Sequence, residues 1–396
     1  METYNKKACV LTFHPGGGIG SMTRCLIGLL KEIGYDADVY YFDKVWKCAK
    51  ENSVEWGGIK YNKIPYFPIL FIPMLNYLLP SLFLNKLIRG YGLLISISGS
   101  FHVSLPYVVQ GREHITKIAT TYYEEQRSKI NFKNFQIKYC ILAIELLLFR
   151  WANEWVEKML YKSRYNKAVL VDSYWSKSVL SKRFGARENV SIFPYCVDAN
   201  IFKPRTEETD NMSGSNQEDY YIFSCARFDD GRKNLSLLLN AFKLLKQNND
   251  LKKLKLIIAG FKPSRPAQFY TKTGLDDSTV FLGNISENEK VSYYQEASVF
   301  VLPSRQEGLG IVILEAMACG VPVISTKCGG PETIIEDGVN GIFTKMDEEA
   351  MATDIGRLLK NNLLAENLIK NGLRTVRERF SKKNALSALK EAIGKK

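Results

Sequence analysis

Glu307 and Glu315 stand with seven residues between them in the stretch Glu307-Gly308-Leu309-Gly310-Ile311-Val312-Ile313-Leu314-Glu315. Ionised carboxylates accept short, charge-assisted hydrogen bonds, so such a pair can grip vicinal hydroxyls. Gly308 and Gly310 leave the backbone between them open to close approach by a ligand. About eighty residues upstream, Arg227 and Lys233 bracket the turn Asp229-Asp230-Gly231. Two cations held at a turn suit a diphosphate, whose charge they can neutralise as it leaves. Taken alone, Glu307 also fits an acid near a helix N-terminus, Glu315 an acid on a solvated helix face, and Arg227 and Lys233 a pair of solvated bases.

These residues need elements to hold them. Ala297 to Leu302 is β-branched and aromatic and reads as a buried strand, ended by Pro303 and Ser304. Apolar residues then recur at three- and four-residue spacing from Ile311, with Gly320 as the stop signal, so a helix follows the glycine loop. The unit is strand, glycine loop, helix N-terminus, where open amides and the positive dipole end favour an anion or a polar sugar. Both glutamates then border the carboxyl end of a strand, where open α/β sheets bind ligands. Val321 to Ser325 reads as the next strand, followed by Cys328-Gly329-Gly330-Pro331-Glu332 and Asp337-Gly338-Val339-Asn340-Gly341. Earlier, Tyr221 to Phe228 reads as a strand, with a helix from about Leu235. Lys255 to Gly260 and Val280 to Asn284 continue the alternation.

The segment from Phe300 to Phe343 resembles the second half of a family 4 retaining glycosyltransferase, of the glycosyl transferases group 1 type. The resemblance implies an α/β chain of GT-B architecture, two Rossmann-like domains facing a central cleft. It divides this chain into an acceptor-side domain over 1–197, a nucleotide-sugar-binding domain over 198–379, and a helix over 380–396 that crosses back to the first domain. It implies transfer of a hexosyl unit from a nucleotide diphosphate sugar to an acceptor hydroxyl, with retention. Glu307 would bind the donor sugar hydroxyls and Glu315 the ribose. Amides at Gly308, Leu309 and Gly310 would meet sugar or phosphate oxygens, and the backbone at Leu282 would border the base. Arg227 and Lys233 match the family's arginine and lysine, so Glu307, Arg227 and Lys233 form the expected catalytic group. No metal and no cofactor is implied. Rival readings are a sugar-nucleotide epimerase or a phosphorylase of the same fold, and a non-catalytic membrane-associated nucleotide-sugar-binding protein. On this assignment Glu315→Ala should weaken donor binding and leave folding nearly unaffected.

The first half opens as a strand at Lys7–Phe13, a turn at His14-Pro15-Gly16-Gly17-Gly18, a helix from Thr23 to Ile33, and a second strand at Asp38–Tyr41. By resemblance, Gly17 and Gly18 face the donor phosphates. Further strands are expected at Leu93–Ser98, Ile115–Thr121 and Ala168–Asp172, and a long helical region over Lys133–Tyr165. Relatives place a histidine after the second of these strands; here Tyr122-Tyr123-Glu124-Glu125 stands there, which leaves His14, His102 and Tyr122 open as alternatives. Val190 to Pro204 resembles the interdomain linker, with Tyr195-Cys196 where relatives have Asn-Gly.

Composition sets outer limits. Of 396 residues, 46% are hydrophobic and 24% charged, which suits a folded globular chain of two domains. Eight scattered cysteines with no CxxC pair argue against a zinc site and for reduced thiols in a cytoplasm. The polar Met1-Glu2-Thr3-Tyr4-Asn5-Lys6-Lys7 does not read as a signal peptide. Net charge is +13, of which residues 1–200 carry about +10. No nucleic-acid-binding motif accompanies it, whereas an anionic membrane surface would explain it. The apolar run Ile64–Leu84 carries prolines at 65, 68, 73 and 80, too broken for a spanning helix. It reads either as core helices or as an element that lines an apolar groove or dips into lipid. Basic charge and this run together point to a cytoplasmic protein, peripheral at the inner membrane face, acting on a glycan or lipid-linked acceptor.

Overall fold

The computed structural model describes residues 6–48, 51–66, 84–129, 137–205, 220–247, 253–264 and 274–395. The chain forms two compact units. Met1–Cys196 and Lys382–Lys396 make the first, and Val197–Ser381 makes the second.

In the first unit the described strands are β1 (Lys6–Thr12), β2 (Tyr35–Lys44), β3 (Ser53–Trp56), β4 (Ile59–Tyr66), β5 (Leu93–Ser98), β6 (His114–Ile118), β7 (Asn166–Val171) and β8 (Val190–Ile192). They form one sheet in the order β3-β4-β2-β1-β5-β6-β7-β8, parallel throughout except for the β3/β4 hairpin. Parallel strands covered on both faces need continuous apolar runs, and Ala8, Cys9, Val10 and Leu11 are all fully buried. The hairpin was not expected from the sequence, although its turn is Gly57-Gly58, both at positive φ (57° and 73°). Such a glycine pair is a hairpin signal.

The first helix is Gly17–Glu32 and begins six residues earlier than its apolar spacing predicts. Gly17 and Gly18 are therefore its first turn and not a loop. A Cβ on Gly20 would lie 2.0 Å from the Pro15 carbonyl oxygen, so only glycine allows the chain to turn so soon after β1. The long helical region is described as Ile137–Lys162. Of the broken apolar run, residues 67–83 lie outside the described residues; its ends, Ile64 and Leu84, are buried in the core of the first unit. The terminal helix Lys382–Gly394 belongs to this unit. It packs on helix Gly17–Glu32 and on β7 through the buried Ala385, Leu389 and Ala392, and Lys382 pairs with Glu32. Cys196, the last residue of the unit before the chain leaves it, has its Sγ against that of Cys25, 2.6 Å away.

The second unit carries β9 (Tyr220–Cys225), β10 (Leu254–Ala259), β11 (Thr279–Gly283), β12 (Val299–Leu302), β13 (Val323–Thr326) and β14 (Ile342–Thr344). Their order is β11-β10-β9-β12-β13-β14, all parallel. Ile222, Leu256, Ile258, Val299 and Val301 join Leu238 and Phe242 of helix Leu235–Lys246 and Ile355 of helix Glu348–Leu359 in one core. No helix among the described residues is long and apolar enough to cross a membrane.

Candidate functional site

In the second sheet the strand order reverses between β9 and β12. β10 and β11 are added on one side of β9, and β12, β13 and β14 on the other. Ligands of open α/β sheets bind at such a point, outside the carboxyl ends of the strands. The loops that leave β9 and β12 there are 226–234 and 303–310, and they carry most of the residues singled out by their chemistry.

The two loops are laced together. The Arg305 amide donates to the Arg232 carbonyl at 2.7 Å, and Arg232 Nη1 donates to Gln306 Oε1 at 3.1 Å. Arg305 Nη2 donates to Asn234 Oδ1 at 3.0 Å. Asn234 is left-handed (φ 51°), a conformation asparagine tolerates better than most residues, and it starts helix Leu235–Lys246 without a side-chain cap. Asp230 holds the turn by accepting from the Arg232 amide and guanidinium at 2.6–3.1 Å. Burial would raise its carboxyl pKa, but the hydrogen bonds and charge of Arg232 outweigh burial and bring it below the ordinary value.

At the centre, Lys233 Nζ donates to Glu307 Oε1 at 2.6 Å, and Ser304 Oγ donates to the same oxygen at 2.7 Å. The pair is mostly buried, with side chains 14% and 11% exposed. Glu307 Oε2 receives no hydrogen bond among the described residues. The carboxylate is thus oriented through one oxygen and presents the other. Arg227, just past β9, is exposed and makes no ion pair among the described residues.

The loop backbone is shaped by its neighbours. Helix Ile311–Ala318 starts at Gly310 (φ 91°) with no side-chain cap, whereas helices Glu287–Glu296, Glu348–Leu359 and Asn362–Arg379 are capped by Ser286, Asp347 and Asn361. The amides of Gly308, Leu309 and Gly310 donate no hydrogen bond among the described residues. A Cβ on Gly330 would lie 2.4 Å from the Leu309 amide nitrogen and Cα, so the 329–330 backbone is pressed against the loop. Glu332 fixes that backbone by accepting from the amides of Gly329 (3.0 and 2.9 Å) and Cys328 (3.2 Å). The Leu309 side chain, by contrast, is buried.

Glu315 lies one turn into the helix and is only 1% exposed. Lys290 Nζ donates to it at 2.9 Å and Tyr294 OH at 3.0 Å, both from helix Glu287–Glu296. It is therefore not on a solvated face, and it helps to tie two helices together. Burial depresses the Lys290 pKa, but the Glu315 charge more than offsets this and leaves it raised. Leu282 is half-buried near the end of β11, the edge strand two places from β9.

Gly17 and Gly18 belong to the first unit, where the strand order reverses between β1 and β5. His14, beside them, is exposed, and its Nδ1 accepts from the Gly16 amide at 2.9 Å. His102, past β5, is 1% exposed, with Nδ1 3.2 Å from Ser100 Oγ and its ring edge-on to Tyr122. Burial lowers its pKa to about 4. Glu157 accepts from the amides of Tyr122 (3.0 Å) and Phe101 (3.4 Å), so one carboxyl caps two helix starts. Burial raises the Glu157 pKa to about 8, against the lowering effect of those amides.

Sequence reasoning missed Ser304, Asn234, Arg305, Lys290 and Tyr294. Asn234 alone left a signal, as an asparagine directly before a helical pattern.

Residues 205–375 match the family described as glycosyl transferases group 1. An uncharacterized glycosyltransferase of Methanocaldococcus jannaschii is 35% identical over 153 residues, 38% of this chain and 40% of that protein. A GDP-mannose-dependent alpha-(1-6)-phosphatidylinositol monomannoside mannosyltransferase of Mycolicibacterium smegmatis is 28% identical over 196 residues, 47% of this chain and 51% of that protein. The chain thus spans about half or less of the length of these curated relatives. Among solved structures, Anabaena HepE in complex with UDP and glucose superposes with a TM-score of 0.73 at 19% identity, over 98% of this chain and 99% of that one. That likeness shows the fold, which is GT-B with two Rossmann-like units.

Proposed function

From a second unit that belongs to the glycosyl transferases group 1, we propose that the chain moves a hexosyl unit from a nucleotide diphosphate sugar to an acceptor hydroxyl with retention of configuration. The observation that carries this reading is Glu307, oriented by Lys233 and Ser304 through Oε1 with Oε2 presented beside an uncapped helix N-terminus. Oε2 accepts from a donor sugar hydroxyl. The open amides from Gly308 to Gly310 and the helix dipole hold sugar or phosphate oxygens. As the bond from the anomeric carbon to the diphosphate breaks and the bond to the acceptor oxygen forms, negative charge grows on the diphosphate and the acceptor releases its proton. Arg227 and Lys233 stabilise that charge without a metal. Glu315 contacts the ribose through whichever oxygen lone pairs Lys290 and Tyr294 leave open. The nucleotide sugars printed for similar proteins, GDP-mannose for the mannosyltransferase and UDP-glucose bound to HepE, set the first panel to try.

The acceptor is proposed to be a lipid-linked or membrane-associated glycan, reached from an anionic cytoplasmic membrane face. The basic excess of residues 1–200 supports this. The test is a panel of UDP- and GDP-sugars read first by thermal shift and then by product analysis with EDTA present. A transferred sugar with the donor's anomeric configuration supports the reading. Inversion, an epimerised donor without transfer, or loss of activity in EDTA would refute it.

A further inference from the structure

Helix Ile137–Lys162 shows two contrasting faces over its last turns. Asn153, Val156, Glu157, Leu160 and Tyr161 are buried. On the other side Trp151 is 74% exposed, Trp155 63% and Met159 38%. Residues four apart lie one above the other on a helix, so these three form a single apolar stripe. Lone exposed hydrophobics are ordinary, but two tryptophans and a methionine in one stripe mark a contact surface. Cations rim it: Arg150, Lys158 and Lys162 are exposed on the same helix, and Arg164 just past its end. The acid within the stripe, Glu154, is already paired with Arg150 at 3.6 Å and Arg183 at 3.3 Å.

We propose that this face is the lipid-contact surface of the protein, lying on an anionic leaflet. The proposal rests on the membrane-associated acceptor inferred above and gives that reading a location. Indole rings are amphipathic and settle at headgroup depth, while lysine and arginine stems lie along apolar surface and lift their charges to the phosphates. Charge complementarity selects this occupant over a second copy of the chain. Two copies joined through the stripe would bring Arg150, Lys158 and Lys162 against the same cations.

The experiment uses the full chain and vesicles of phosphatidylcholine with and without phosphatidylglycerol. Wild type should co-sediment with the anionic vesicles at low salt and release at high salt. Lys158→Gln with Lys162→Gln should bind roughly 30-fold more weakly, from ~1 kcal/mol for each cation near such a surface. Trp151→Ser with Trp155→Ser should bind about tenfold more weakly, from lost apolar burial. All four side chains are exposed, so melting temperature and the thermal shift with UDP should match wild type. If wild type binds and both variants bind equally well, this surface is wrong and the membrane reading stands. If wild type ignores anionic vesicles, both fail. A dimer that the tryptophan variant dissociates, without vesicle binding, would show an interface between copies instead.

Discussion

Glu315 shows how one side chain changes meaning once its neighbours are known. Removing it leaves Lys290 mostly buried without its counter-charge, and Tyr294 with the Val312 carbonyl alone as acceptor. Breaking such a pair costs about 3–5 kcal/mol, so Glu315→Ala should unfold at a clearly lower temperature, contrary to the expectation of near-neutral folding. A melting curve equal to wild type would refute the buried pair. Arg227→Ala is the opposite case. The side chain is exposed, so stability should hold while turnover falls about 100–1000-fold, the usual cost of losing one donor to transition-state charge. Steady-state kinetics beside a melting curve separates the two effects. Glu157 predicts a pH dependence. Its pKa is about 8 in the fold against an ordinary 4.5, so between these values the native state holds the extra proton and stability falls as pH rises. His102 and His114, both near 4 against 6.5, work the other way and lose stability as pH falls below 6.5. Melting temperature should therefore peak near pH 6.5, and Glu157→Gln should flatten the decline between 6.5 and 8. An unchanged alkaline limb in that variant would show that Glu157 does not cause it.

At the scale of elements, the site is a contact between loops rather than a property of either one. Loop 303–310 takes its shape from the backbone of Gly330 pressing on Leu309 and from Glu332 clamping the amides of Cys328 and Gly329. Gly330→Ala puts a methyl 2.4 Å from backbone atoms, which cannot rotate aside as a side chain would. The cost should exceed the ~1–3 kcal/mol of ordinary overpacking, and the loop amides should lose their positions. Expected together are a lower melting temperature and loss of whatever thermal shift the nucleotide-sugar panel gives with wild type. A variant that keeps the wild-type shift would separate the loop from donor binding.

For the whole molecule, the two units have separate cores, and the chain returns to the first after completing the second. Leu389 is fully buried in the helix that makes this return. Leu389→Ala should cost about 2–5 kcal/mol. Although the residue lies near the far end of the chain, the loss should fall on the unfolding of residues 1–196 and leave the transition of the second unit in place. Calorimetry reads this directly. A shift confined to the second unit would overturn the assignment of the helix.

Periodicity and glycine punctuation were enough to read β12, the loop after it and helix Ile311–Ala318, because a buried parallel strand, a turn and a helix start are each set within a few residues. Resemblance grouped Glu307 with Arg227 and Lys233 across about eighty residues, and among the described residues the structure joins Lys233, not Arg227, to Glu307. The sequence misplaced the start of the first helix, since what permits Gly17 to open it is the space Gly20 leaves beside the Pro15 carbonyl. It passed over the β3/β4 hairpin, whose first strand has only four residues, none buried, and whose second, eight residues long, buries only Tyr61 and Ile64 and shows no alternation. Asn234, Arg305, Lys290 and Tyr294 acquire their roles from side-chain hydrogen bonds to partners 18 to 71 residues away. Local propensity holds no information on such pairings. They depend on β9 lying beside β12 in the sheet and on helix Glu287–Glu296 packing against helix Ile311–Ala318, and the tertiary structure decides both.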